Sequence, residues 1–131
     1  QSYENLIRNL YFNFSLATEF ISLETLHQCS ANYSNEISEL DIHNIKWDLD
    51  KQFNVPILRD ADIQFIFKKT GSHSMSNGTL LVEAEVIEVF SNISPEKDGF
   101  MNIAKKKIIS SQGLNAYAKT NSITRFDYAN P

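Results

Sequence analysis

The sequence is short of most features that would announce a function. Its 131 residues include one cysteine, four glycines and three prolines, and no apolar run approaches the ~20 residues of a membrane-spanning helix. A lone Cys29 excludes an intramolecular disulfide. On a helix, His27 and Cys29 would lie about 200° apart, so they make no metal pair there, and a buried, inert thiol is expected. The residues before it, Leu26-His27-Gln28, lack the small pair that precedes a lipidated cysteine. Basic excess is also missing: 12 Lys and Arg stand against 16 Asp and Glu, with net charge -4 and a pI near 5.3. No global field therefore favours nucleic acid or an anionic membrane. No phosphate-binding or nucleotide-binding signature, internal repeat, linker or low-complexity tract is present. No cofactor and no metal is called for.

What is present suits an ordinary core. Apolar residues make up 42% of the chain, with nine Phe, five Tyr and one Trp. One domain over residues 1–131 would bury roughly 70% of its unfolded surface. Few breakers predict long, continuous elements. The chain begins at Gln1 rather than Met, which reads as a processed or excised piece with any signal peptide or anchor out of view. The compartment is then unknown, and the reading leans to periplasmic or secreted.

Spacing predicts a helix over residues 3–21. Tyr3, Leu6, Ile7, Leu10, Phe14, Ala17 and Ile21 recur at three and four, flanked by Tyr11, Phe12, Leu16 and Phe20. Such a helix would be about 28 Å long and apolar on two sides. Ser22 caps a second helical piece from Leu23 to about Ala31, with Glu24 in its first turn. Glu36 to Leu40 suits another short turn. In residues 41–55, His43, Ile45, Trp47 and Leu49 alternate with polar residues as a half-buried strand, while Ile42, Ile45, Leu49 and Phe53 also fit a helix. Ile63, Phe65 and Phe67 predict a second strand. A long polar loop, residues 68–78, would join it in a hairpin to residues 79–90. Residues 105–128 read as two strands turning near Gln112-Gly113, beyond a turn in Asn92–Gly99.

The stretch Asn77–Ser94 breaks step. Leu80, Val82, Ala84 and Val86 are apolar at even positions, then Ile87 and Val89 at odd ones. Side chains of a strand alternate strictly, so one extra residue near Val86-Ile87 is predicted, a β-bulge in a strand about 40 Å long. A bulged, curled sheet has a concave face, which the two-sided helix would need. The expected fold is therefore α+β: an N-terminal helix, plus a short second helix, packed on a curved four- to five-stranded antiparallel sheet. That is the broad cystatin-like or nuclear-transport-factor-like architecture.

No catalytic constellation emerges. His73 sits among serines in the expected loop, and His43 falls on an apolar strand face, where a hydrogen-bonded core histidine is the ordinary outcome. The acid pairs Asp48/Asp50, Asp60/Asp62 and Glu83/Glu85 match solvated strand faces as readily as metal sites. Four sequons, at Asn13, Asn32, Asn77 and Asn92, compare with roughly two expected by chance from this composition. Lys105, Lys106 and Lys107, with Lys68 and Lys69, could form a local anion patch or a lysine-protected strand edge. Three functions follow. The first is a non-catalytic protein–protein interaction or assembly domain of a larger exported or membrane-anchored system, with a protein partner or self-association as a homodimer. The second is a carrier for a small apolar ligand, its pocket lined by Tyr11, Trp47, Phe65 and Phe67. The third is an enzyme with His43 or Asp62 as pocket base.

Overall fold

The computed structural model describes residues 2–127 and 129, with the side chains of Ser2 and Tyr3 excluded. Tyr3's place on the expected helix face and Tyr128 at the end of the last expected strand lie outside the described residues. In chain order the elements are α1 (Ser2–Arg8), β1 (Tyr11–Ser15), α2 (Leu23–Gln28), α3 (Glu39–Ile42), β2 (Trp47–Asp50), β3 (Val55–Leu58), β4 (Ile63–Ser74), β5 (Leu80–Ser91), a 3-10 turn (Ile103–Lys106), β6 (Ile109–Ser111) and β7 (Tyr117–Lys119). The strands form three antiparallel sheets: β1-β4-β5, β2-β3 and β6-β7.

The expected helix over residues 3–21 does not form, and the cystatin-like or nuclear-transport-factor-like architecture built on it falls with it. α1 stops at Arg8, and residues 11–15 become an edge strand. Alternation in Tyr-Phe-Asn-Phe-Ser puts both phenylalanines on one face and the polar residues on the other, which suits a strand as well as the three-and-four spacing suits a helix. Partners decide. Phe12 and Phe14 lie opposite Phe67 and Phe65, with Phe12 stacked on Phe67 at 5.3 Å between centroids. Lys69 ends the helix: its Nζ donates to the carbonyls of Leu6 and Ile7 at 2.6 and 2.7 Å, while its backbone N donates to Leu10 O.

The phase change behaves as its pattern predicts. Phe67 lies opposite Val86 and Ile66 opposite Glu88, leaving Ile87 as the unpaired residue. A second irregularity, at Thr70, separates Lys69↔Ala84 from Gly71↔Glu83. With one extra residue in each strand, Leu80, Val82, Ala84, Val86 and Val89 all keep to the face that carries Phe65 and Phe67. The polar stretch expected as a loop over 68–78 is mostly strand: β4 runs to Ser74, and only residues 75–79 turn, with Gly78 at φ 81.

Deleting Ile87 should leave the flanking pairs intact and shift stability by less than about 1 kcal/mol, whereas deleting Ala84 throws Leu80 and Val82 onto the wrong face and should cost about 3 kcal/mol. Urea unfolding of the two variants distinguishes them; equal losses would contradict the assigned bulge.

The opposite face carries Ile66 and Gln64, both buried, and the Gln64 amide bonds there to the backbone of Leu58 in β3. At the start of β4, Ile63 forms the core cluster with Ile93 and Ile108, with Leu16, Phe65, Met101 and Ile103 against it. Ser22 caps α2 through its hydroxyl, as its position before Leu23 predicts. α3 begins three residues later than the expected Glu36 because Ser38 provides the cap. In the ambiguous 42–53 region, strand wins only from Trp47 to Asp50; Asn44 at φ 53 closes the turn before it.

Candidate functional site

β1 is the outer strand of its sheet, and its edge is chemically defined. Leu10 O accepts from Lys69 N and Leu16 N donates to Ile63 O. In the register of β1 on β4, those end bonds mean that Phe12 and Phe14 exchange backbone bonds with β4. The N–H and C=O groups of Tyr11, Asn13 and Ser15 point the other way, along the outer edge.

Two clefts run along this strand and meet at Phe14, which is 52% exposed. One, of about 630 Å³, is lined by the amides of Asn5, Asn9, Asn13 and Asn54 and the rings of Tyr11, Phe12 and Phe14, among others. The other, of about 710 Å³, lies between β1, α2 and the β6-β7 hairpin, with Leu16, Leu26, Ile109 and Leu114 as apolar wall and Ser15, Ser30, Ser111 and Tyr117 as hydroxyl-bearing wall. Local chemistry holds both in place. Buried Gln64 mimics a strand: Nε2 donates to Leu58 O at 2.8 Å, and Oε1 accepts from Leu58 N, Asn13 Nδ2 and Ser15 Oγ. Asn13 Nδ2 also reaches Pro56 O, so this sequon's side chain is committed. On the far side, Ile109 N donates to Ala17 O, docking β6 next to β1.

Asp62 anchors that end. It accepts from the fully buried Thr18 hydroxyl at 2.6 Å and pairs with Lys106 Nζ at 2.7 Å. Burial pushes its carboxyl upward, but the bonds from Lys106 and Thr18 and the Lys106 charge together hold it below the ordinary value.

The four aromatics expected to line one pocket are spread out. Tyr11 lines the asparagine-rich cleft and tilts against Phe53 at 5.0 Å. Trp47 lines a separate cleft of about 480 Å³ and donates from Nε1 to Asp41. Phe65 and Phe67 lie 6.0 Å apart on the sheet face shared with Phe12 and Phe14. Of the three lysines expected as an anion patch, Lys106 pairs with Asp62 and Lys107 with Glu19, and all three lie on or beside the 3-10 turn rather than on a strand. His43 bonds to Tyr33 Oη at 3.0 Å beside a cleft of about 160 Å³. His73 is on β4, 3.4 Å from Glu83, not in a loop. Cys29 is half-buried, and burial with Glu39 nearby pushes its thiol up, away from nucleophilic use. Among the described residues, no three His, Cys, Asp or Glu side chains gather as a metal site, and no helix is long and apolar enough to cross a membrane.

No protein-family model matches the chain, and no curated protein matches it in sequence. Solved structures do. A protein assigned as a flavin reductase with split barrel domain from Shewanella frigidimarina NCIMB 400 superposes with TM-score 0.89 at 22% identity, over 98% of this chain and 65% of that one. The fold is that of the split barrel. The 2-nitrobenzoate 2-nitroreductase of Pseudomonas fluorescens shares it at TM-score 0.80 and 18% identity, over 99% of this chain and 66% of its own. The flavoredoxin of Desulfovibrio vulgaris (Miyazaki F) shares it at TM-score 0.71 and 14% identity, over 98% of this chain and 68% of its own. This chain thus spans less than two thirds of the length of the first two. The non-catalytic assembly-domain reading is overturned, and nothing supports its exported or secreted setting. It rested on the missing catalytic constellation, the excised start and a wide apolar helix in whose place residues 11–15 form β1, and three proteins that share this barrel are named as a reductase, a nitroreductase and a flavoredoxin.

Proposed function

We propose that this chain serves a flavin-dependent reduction, with the flavin ring system held along the outer edge of β1. The observation that carries this is the edge itself. The outward backbone groups of Tyr11, Asn13 and Ser15 lie beside the rings of Phe12 and Phe14 and the amides of Asn5, Asn9 and Asn54. A flavin has apolar faces and a pyrimidine edge of alternating donors and acceptors, so aromatic walls plus alternating N–H and C=O groups suit it. The names of the split-barrel proteins support the same chemistry. A bound flavin supplies hydride and single-electron transfer, which no side chain of the groove supplies; the chain's own part is to bind, orient and shield. In this reading residues 1–131 act as one unit, and Tyr11 and Phe67 keep their place as ring-facing or ring-supporting residues. Self-association through the open sheet edges is compatible with it and is read by light scattering.

Titration with FMN and riboflavin, followed by quenching of flavin fluorescence, is expected to saturate at micromolar ligand. Phe14→Ala should weaken binding about tenfold, the equivalent of about 1.4 kcal/mol for an aromatic contact. No quenching by the wild-type chain at several hundred micromolar would sink the reading.

A further inference from the structure

The 710 Å³ cleft is lined by four hydroxyl groups, and three have already given their protons away. Ser15 Oγ donates to Gln64 Oε1, Ser30 Oγ to His27 O at 2.6 Å, and Ser111 Oγ to Gly113 O at 2.7 Å. Tyr117 is different. Its Oη lies 3.0 Å from His27 Nδ1, a nitrogen that donates in one tautomer and accepts in the other. When Nδ1 carries the proton, imidazole donates to Oη and the phenol O–H is released toward another acceptor. His27 is on exposed α2, so its ring exchanges protons with water; it is not itself part of the cleft wall. The two rings meet edge to face at 5.9 Å, which fixes the phenol across the 90 residues that separate them.

We propose that Tyr117 donates a proton to the oxygen of a small carbonyl compound with an apolar body, bound in the cleft between β1, α2 and β7, and that His27 is the positioning residue that resupplies it. Leu16, Leu26, Ile109 and Leu114 accept the body, and with the proton on His27 Nδ1 the phenol is the one lining hydroxyl not already donating. The proton inventory closes. A bound reduced flavin would supply the hydride at the carbonyl carbon; the C=O π pair would then move to oxygen, Tyr117 Oη–H would break and the product O–H would form. The phenolate then takes the proton of His27 Nδ1–H as Nε2 takes one from water, which leaves as hydroxide, and exchange with solvent returns the exposed ring to the Nδ1–H tautomer before the next turnover. The hydride half of this step rests on the function proposed above; the donor role of Tyr117 does not.

The test begins without flavin. Benzaldehyde labelled with carbon-13 at the carbonyl is titrated into the wild-type chain and into Tyr117→Phe, which keeps the ring contact with His27. Wild type should bind and move the carbonyl signal downfield, and the variant should lose that shift and bind about fivefold to tenfold more weakly. No binding by wild type, or the same shift in both proteins, overturns the proposal. With FMN and NADH present, Tyr117→Phe should lower turnover of the aldehyde about a hundredfold with KM raised no more than about tenfold, in line with the weaker binding, and His27→Gln should lower turnover less. Reduction of ferricyanide, which takes electrons alone, should be unchanged; an equal loss there overturns the assignment. If wild type takes up no flavin yet Tyr117→Phe abolishes the carbonyl shift, the flavin reading falls and the proton donor stands.

Discussion

Gln64→Leu is expected to lower the stability of the chain by about 3 kcal/mol, or roughly 10 °C in Tm for a domain of this size. The residue is 4% exposed, and its amide does the work of a missing strand for Leu58, meeting both the N–H and the C=O of that residue. Leucine fills the volume but leaves both half-buried backbone groups of Leu58 without their Gln64 partner, at about 1–3 kcal/mol each, and frees Asn13 and Ser15 to move. Gln64→Glu separates shape from donation: it keeps three acceptor contacts, loses the donor to Leu58 O, and places a charge where no cation is bonded. It should lose as much as the leucine variant. Denaturant unfolding gives both values, and a change under about 1 kcal/mol in either would show that the β2-β3 hairpin is held by apolar contact alone. Because the same side chain positions Asn13, flavin affinity should fall along with stability.

Asp62→Asn should cost about 2–3 kcal/mol at neutral pH, because the amide keeps the Thr18 bond but leaves Lys106, about one-third exposed, facing no charge. The pH dependence fixes the cause. Asp62 titrates lower in the folded chain than in the unfolded one. Its contribution is therefore complete above the unfolded carboxylate value of about 4 and is lost as pH falls through the folded value. The gap between wild type and variant, measured by thermal unfolding, should be level from about pH 5 to 8 and should close on acidification below about pH 4. A gap that widens in acid would assign the loss to packing instead.

Much of the β4-β5 hairpin was legible because its apolar residues alternate, although on β5 that face stays largely exposed, with Val86 at 49% and Val89 at 52%. Ile63, Phe65 and Phe67 gave β4 its start, and the break in step placed the bulge near Val86-Ile87, where Ile87 is the unpaired residue. Residues 68–74 carried no such signal. Where a strand faces water on both sides, as from Thr70 to Ser74, its sequence looks like a loop. The error at β1 has a different origin. Five residues of alternating aromatic and polar character satisfied both periods at once, and the choice was made by Phe65 and Phe67 some fifty residues away, which local spacing does not contain. The candidate groove was the least legible part. Its defining groups are backbone N–H and C=O on an edge strand, which every residue type possesses, so no motif could report them. The Tyr117–His27 pair likewise joins residues 90 apart with no fixed spacing between them. Trp47 and Tyr11 stood out by size, but size does not say which wall of the molecule a ring will occupy.

Lys69 sets a mechanical condition on the whole arrangement. Its side chain grips the last carbonyls of α1 and its backbone grips Leu10 just beyond. The helix that carries Asn5, with Asn9 just past its end, is thus bracketed to the middle of the hairpin by a single residue. A ligand that pushed this wall outward would have to break the three Lys69 bonds, so displacement of α1 is coupled to the hairpin.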